Sequence, residues 1–221
     1  HSVKAVLLSQ SSDGYVLEDF AIEFMPRGAI VDREIQDIEA VGNVISKIRQ
    51  GIPMKAKEAA AAVSGQTVIT KIIYMDVTLN EEELASQIEI EADSLIPYPL
   101  DEVAIDFEVQ GESERDPELV DVLLAACRKE NVDLRVESIE LAGLAAKVVD
   151  VEAYAMERAF EMIHDQLECD EDSVIAVVDV GATMTTLSVL VGGVTVYTRE
   201  QLFGGKQLTE EIQRRFGLTY E

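Results

Sequence analysis

Apolar and polar residues alternate in several short stretches of the chain, a pattern typical of half-buried β-strands. The alternation is clearest in residues 103–110, where Val103, Ile105, Phe107 and Val109 take every second position. Short apolar runs rich in branched side chains predict further strands. These strands are predicted at Val3–Ser9, Tyr15–Phe24, Ala59–Val63, 67–77, Val120–Cys127 and Val148–Val149.

Four other stretches carry apolar residues at intervals of three, four or seven, which places those residues on one face of a helix. Their apolar positions are Ile38, Val41, Ile45 and Ile48; Leu84, Ile88 and Leu95; Val132, Val136 and Ile139; and Ala153, Met156, Phe160, Ile163 and Leu167. Asp37 has the residue type of an N-cap for the first helix, with Gly51-Ile52-Pro53 as its stop. Asn80 and Glu83 resemble a capping box before the second helix, and Gly143 closes the third.

The order of these elements predicts an α/β fold with one α+β insert. We divide the chain into a first lobe at 1–75, the insert at 76–142, a return to the first lobe with a connecting helix at 143–168, and the start of a second lobe at 169–221. The chain opens without a methionine, already inside a strand pattern, and stops just after a helix. We therefore expect it to be a part of a longer protein.

Composition narrows the class of partner. The chain has 221 residues and a formal net charge of −25, from 43 acidic and 18 basic residues. A surface with this much negative charge repels the phosphate backbones of nucleic acids and the anionic headgroups of lipids. This argues against a nucleic acid as the partner and against direct electrostatic docking on a membrane. The cysteines, Cys127 and Cys169, and the histidines, His1 and His164, are too few and too scattered for a disulfide framework, a zinc site or another transition-metal cluster.

The stretch "IAVVDVGATMTTLSVL", Ile175–Leu190, carries candidate chemistry between two strands. Asp179 lies at the end of the first strand, and Gly181 has no Cβ, so a ligand can approach the backbone there. The hydroxyl groups of Thr183, Thr185 and Thr186, with the amide groups of the turn, suit an anion. An acid beside a phosphate requires a cation between them, which points to Mg²⁺. The alternative is an ordinary hairpin in which Asp-x-Gly is turn chemistry.

A second glycine-rich stretch, "LFGGKQLTEEIQRRF", places Gly204-Gly205 just before a helix. Leu208, Ile212 and Phe216 follow at intervals of four. The N-terminus of a helix offers free amide groups and the positive end of the helix dipole, both of which suit a phosphate. The alternative is a simple loop before the helix. The two glycine-containing motifs together, in this order, are more specific than either one alone.

These motifs and their order resemble the actin-like ATPase superfamily, to which the cell-division protein FtsA belongs, and most closely its PilM family from the type IV pilus machinery. The matching stretches are "AVSGQTVITKIIYM", "DSLIPYPLDEVAIDF", "VESIELAGLAAKVVDVEAYAMERA", "DVGATMTTLSVL" and "VYTREQLFGGKQLTEEIQRRFGL". They span nearly the whole chain. The resemblance implies an actin-like fold, with the insert as a subdomain of the first lobe.

The resemblance also implies a site for ATP with Mg²⁺. The second phosphate loop would be Asp179–Thr185, including Gly181, Ala182, Thr183 and Thr185, with Asp179 holding Mg²⁺ through water. Gly204-Gly205 would open the next helix on the nucleotide side. Asp150 falls where the superfamily has an acid or glutamine near the attacking water, so Asp150 and Asp179 are the candidate catalytic residues. The alternative for Asp150 is an N-cap of the helix from Glu152.

The same resemblance implies a cytoplasmic scaffold at the inner membrane. Its main partner would be the cytoplasmic N-terminal segment of PilN, held in a groove between the first lobe and the insert, with other platform and motor components as further partners. Of the family's first phosphate hairpin only "HSVK" is present, and the adenosine contacts would follow "RRFGLTYE". We therefore expect no meaningful ATPase activity from these residues alone. The alternatives are an FtsA-like filament protein and an active phosphotransferase such as a sugar kinase.

Overall fold

The computed structural model describes the chain except residues 13, 32–33, 53–55, 165, 168–169, 171–172 and 220–221. The chain forms two compact units, His1–Val149 and Asp150–Glu221. Two short 3₁₀ helices, Gly65–Thr67 and Leu100–Glu102, lie in the first unit. No helix among the described residues is both long enough and apolar enough to cross a membrane.

The strands and helices follow each other in an alternating order. Through β9, within which the division between the units falls, they are β1 Ser2–Ser11, β2 Gly14–Phe24, β3 Ile30–Val31, β4 Glu34–Ile35, α1 Ile38–Gly51, β5 Glu58–Val63, β6 Val68–Asp76, α2 Glu81–Leu95, β7 Val103–Glu112, β8 Leu119–Arg128, α3 Lys129–Leu141 and β9 Ala145–Val151. From there they are α4 Glu152–His164, β10 Val174–Val180, β11 Thr185–Val191, β12 Val194–Gln201 and α5 Gly205–Phe216.

The first part of unit one consists of paired strands and the helix α1. Strands β1 and β2 form an antiparallel hairpin, β3 pairs with β4, and β5 lies beside β9. Helix α1 begins where the sequence predicts, because the carboxylate of Asp37 accepts a hydrogen bond from the amide of Ala40 at 2.9 Å. It ends at Gly51, and Pro53 of the predicted stop lies outside the described residues.

The predicted insert at 76–142 shares a sheet and a buried core with the strand that precedes it. Strands β6, β8 and β7 form an antiparallel sheet in that order, and Ile73, Val122 and Leu124 pack with Ile88 of α2 in a buried cluster. The whole of β6 pairs with β8, so this sheet starts before the predicted boundary at residue 76. Strand β7 pairs with β8 and is not part of the β5–β9 pair.

Three close contacts hold α3 against the rest of unit one. Gly42 of α1 lies so near α3 that a Cβ there would be 2.8 Å from the Cβ of Leu141. The guanidinium of Arg49 donates to the carbonyl of Ala142 at 2.8 Å, at the end of α3. Arg135 of α3 donates through Nε to the carbonyl of Ala62 in β5 at 2.8 Å. Helix α3 therefore joins the insert to the strands before it.

Unit two contains α4, the antiparallel sheet β10–β11–β12 and α5. The carboxylate of Glu157 on α4 accepts the amide of Thr195 at 2.7 Å, which fixes the start of β12. Phe160 and Leu190 are buried. The apolar pattern predicts that α4 continues to Leu167, but the helix ends at His164. The amide of Leu167 instead donates to the carbonyl of His164, three residues back, which is turn geometry.

Candidate functional site

The candidate site is built on the turn between β10 and β11. The strand register pairs Asp179 with Thr186 and Val180 with Thr185, so the two strands run together up to the turn. The amide of Gly181 donates to the carbonyl of Met184 at 2.8 Å and closes this turn. A Cβ on Gly181 would be 2.9 Å from the same carbonyl oxygen, so the turn is too tight for a side chain there. Residues 181–184 are called the hairpin turn below.

The first turn of α5 packs directly on the hairpin turn. The amide of Gly205 donates to the carbonyl of Gly181 at 3.0 Å, and the amide of Lys206 donates to the carbonyl of Ala182 at 2.8 Å. A Cβ on Gly204 would lie 2.5 Å from the Gly181 oxygen and 2.7 Å from the Ala182 oxygen. Gly204 is therefore required for close backbone packing. An anion at this helix end would have to compete with two carbonyl groups for these amides.

Two side chains strengthen the same junction, and the sequence interpretation missed the role of both. The hydroxyl of Thr185 donates to the carbonyl of Phe203 at 2.8 Å, so its proton is used inside the protein. The side chain of Gln207 accepts the amide of Gly204 at 2.9 Å. A signal for the second contact exists in the sequence, because a glutamine three residues after the residue that precedes a helix is half of a capping box.

Two backbone amides and one carboxylate of this stretch stay available for a ligand. Among the described residues, none accepts a hydrogen bond from the amide of Ala182 or Thr183. The carboxylate of Asp179 is exposed, and no described residue forms an ion pair or hydrogen bond with it. Two free amides beside a free carboxylate fit a phosphate with a hydrated cation, since Mg²⁺ keeps several waters and needs few protein ligands.

Asp150 lies apart from these contacts in the hydrogen-bond network. Its carboxylate accepts the amide of Val151 at 2.7 Å and forms an ion pair with Arg158 of α4. Neither partner belongs to the hairpin turn. The bonded amide belongs to Val151, the residue just before α4, which begins at Glu152. Asp150 is thus held in place by Arg158, with about a quarter of its side chain exposed (24%).

The structure contains no protein cage for a metal ion within the described residues. No group of three or more His, Cys, Asp or Glu side chains converges there. Cys127 is a free thiol on β8, and burial raises its pKa, an effect that the charge of Arg135 partly offsets. Cys169, the other cysteine, lies outside the described residues. Any cation at Asp179 would depend on waters and on the ligand itself for its other contacts.

Unit one offers a strand edge beside the insert. Strand β6 is at the edge of its sheet, and only β8 pairs with it among the described strands. Ile72 and Tyr74 on this strand are exposed, by 46% and 38%. The guanidinium of Arg115 lies 4.7 Å from the centre of the Tyr74 ring. Tyr98, which lies between two prolines, contacts Arg128, whose guanidinium carbon is 4.8 Å from the ring centre.

Comparison with known proteins identifies related chains. A family model described as type IV pilus assembly protein PilM matches residues 1–221. Among solved structures, a chain of the PilM-PilN type IV pilus biogenesis complex is similar, with 27% sequence identity and a TM-score of 0.79. The match covers 99% of this chain and 63% of that chain, so the present chain spans less than two thirds of its length.

A second solved structure shares the fold at lower similarity. It is the ethanolamine utilization protein EutJ from Carboxydothermus hydrogenoformans, with 14% identity and a TM-score of 0.50. The match covers 99% of this chain and 54% of that chain. Together with the first comparison, it confirms the predicted α/β fold of the actin-like ATPase type.

Proposed function

The chain belongs to the type IV pilus assembly protein PilM family, and from this premise we propose that it is the nucleotide-binding scaffold of a type IV pilus assembly platform. The observation that carries the proposal is the match to the family model along the whole chain, from residue 1 to residue 221. The scaffold role means that this protein binds other components and holds them in position. Nucleotide turnover is slow or absent in this role.

The proposed partner is the cytoplasmic N-terminal segment of PilN. The relative with 27% identity comes from a PilM-PilN complex, which supports the choice of partner. An extended segment adds to a free strand edge through backbone hydrogen bonds, and its side chains enter pockets on either side. The edge of β6, with exposed Ile72 and Tyr74, supplies such a place next to the insert. Through this partner the scaffold is held at the inner membrane.

The proposed ligand is ATP with Mg²⁺, bound at the hairpin turn. The amides of Ala182 and Thr183 would donate to a phosphate group, and Asp179 would hold the metal through water. Bound Mg²⁺ neutralises phosphate charge next to the carboxylate. Asp150, held by Arg158, is the proposed residue near the attacking water. Gly204 and Gly205 contribute by packing against the turn.

Gene replacement in the source bacterium tests the scaffold role. Deletion of the gene that encodes this chain should abolish surface pili, and the wild-type gene should restore them. Asp179→Asn should restore fewer pili, because the metal contact is lost, whereas Asp19→Asn on the hairpin β1–β2 serves as the control. A deletion strain with normal pili would contradict the proposed function. Immunoblots would verify that each variant accumulates to the wild-type level.

A further inference from the structure

We propose that the first turn of α5 is an alignment element and not itself the anion site. It fixes two carbonyl groups of the hairpin turn, and thereby directs the amides of Ala182 and Thr183 outward as the phosphate donors. The inference rests on the nucleotide site of the proposed function, and it assigns the positioning role to Gly204 and to the amides of Gly205 and Lys206.

The geometry of the peptide bond determines the direction in which the amides of Ala182 and Thr183 point. In a trans peptide unit the carbonyl and the following N–H point in opposite directions from a rigid plane. The described backbone contains no cis peptide bond. The Gly181 carbonyl is bonded to α5, so the N–H of Ala182, in the same peptide unit, points away from α5. The Ala182 carbonyl is bonded to α5 as well, and it orients the N–H of Thr183 in the same way.

The outcome is a pair of neighbouring amides on the side of the turn away from α5. Neither amide has an acceptor among the described residues, as noted above. Successive backbone N–H groups on one side of a turn form a concave anion site. The start of α5, which the sequence pattern indicated as a phosphate site, instead holds this arrangement through the amides of Gly205 and Lys206. The hydrogen bonds that the Gly205 and Lys206 amides donate therefore affect a bound ligand only indirectly, because they orient two peptide planes of the hairpin turn.

The side chains at the junction show why the alignment needs particular residues. Only glycine fits at 204, because a Cβ would overlap two backbone carbonyl groups at 2.5 and 2.7 Å. At 205 a Cβ would meet the Gly181 oxygen at 3.9 Å, an ordinary contact. Thr185 adds a third link by donating to the Phe203 carbonyl just before α5. Gly204→Ala and Gly205→Ala are thus a matched pair of variants. Both lose a glycine, but only the change at 204 disturbs the backbone packing.

Amide chemical shifts test the assignment of donors. Full-length protein, selectively ¹⁵N-labelled at alanine, threonine, glycine and lysine, would be titrated with inorganic pyrophosphate and, separately, with Mg²⁺·ATP. We expect the largest downfield shifts at Ala182 and Thr183, with smaller ones at Gly205 and Lys206. Larger shifts at Gly205 and Lys206 would overturn the inference while leaving the nucleotide site intact. No shift anywhere with Mg²⁺·ATP would reject the proposed nucleotide site, and the inference with it.

Variants test the alignment itself. Gly204→Ala should weaken pyrophosphate binding at least tenfold more than Gly205→Ala. Thr185→Val removes the bond to Phe203 and should also weaken binding, and Thr185→Ser, which keeps the hydroxyl, should restore it. The Thr185 pair decides the question if Gly204→Ala does not fold, as judged by circular dichroism. Equal affinities for both glycine variants, or no difference between valine and serine at 185, would refute the alignment role.

Discussion

Replacing Gly42 with alanine should loosen the contact between α1 and α3. The new Cβ would lie 2.8 Å from Leu141 Cβ, 3.2 Å from Leu141 Cδ1 and 3.3 Å from the carbonyl oxygen of Ser138. The nearest atom is attached to the backbone of α3 and cannot rotate away, so one helix must shift. Gly42 is buried, which leaves no solvent-facing direction for relief.

The magnitude follows from two opposing effects. Forcing an extra methyl group into a packed contact costs about 1–3 kcal/mol. Alanine in place of glycine inside a helix stabilises the helix by up to about 1 kcal/mol, because alanine has the higher helix propensity. Gly51→Ala, in the last turn of the same helix, adds a Cβ that meets nothing within 4 Å. Gly51→Ala therefore gains helix propensity without any overlap. The free energies of unfolding of the two variants should differ by about 1–3 kcal/mol, with Gly42→Ala the less stable.

Native-state hydrogen exchange measures this difference where it arises, without assuming a single unfolding transition for a chain of two units. Protection of the amides in α1 and α3 should fall in Gly42→Ala relative to Gly51→Ala, and protection in the insert helix α2 should change less. Equal protection in the two variants would refute the claim that α1 and α3 touch at Gly42. Higher protection in Gly42→Ala than in Gly51→Ala would contradict the expected cost of the overlap.

Three further predictions concern single side chains. Because burial raises the pKa of Cys127, its thiol should react with iodoacetamide more slowly at pH 7 than free cysteine, and a faster rate would contradict its burial. Hydrogen bonds from the Thr78 side chain and backbone lower the pKa of Asp76. These hydrogen bonds stabilise the folded protein above the ordinary carboxyl pKa, and the stabilisation is lost as the pH falls through the lowered pKa of Asp76. Thr78→Val should therefore raise the pKa of Asp76 in a ¹³C NMR titration. An unchanged pKa would reject the Thr78 side chain as a cause. Asp179→Asn should weaken Mg²⁺·ATP binding about tenfold or more in calorimetry on the full-length protein, whereas the control Glu161→Gln on α4 should not weaken it. Equal Mg²⁺·ATP affinities of Asp179→Asn and the wild type would mean that Asp179 is a turn residue only.

Local signals predicted the start points of helices well. Asn80 accepts the amides of Glu82 and Glu83, and the Glu83 side chain accepts the amide of Asn80, which is the capping box expected from the two residue types. Such contacts join residues within one turn, so the sequence contains all the information that they need. The strands on either side of the hairpin turn follow from their apolar pattern for the same reason.

Contacts between distant residues could not be predicted in this way. The pattern at Gly204-Gly205 indicated free amides, and nothing local reveals that the carbonyls of Gly181 and Ala182 occupy the amides of Gly205 and Lys206. The pairing of β6 with β8 likewise depends on residues about fifty positions away, at Leu119–Arg128. Membership in the PilM family, in contrast, was predicted from several ordered stretches and is confirmed by the match along residues 1–221.

The most direct test of the central claim is a titration of full-length protein with a peptide of the PilN cytoplasmic N-terminal segment from the same bacterium. Calorimetry should show saturable binding of one peptide per protein, absent for a scrambled peptide. Ile72→Asp, on the edge strand β6, should weaken the binding, and Ile90→Asp, on α2, should not. Both isoleucines are exposed, by 46% and 65%. No binding to a folded protein would contradict the proposed scaffold role.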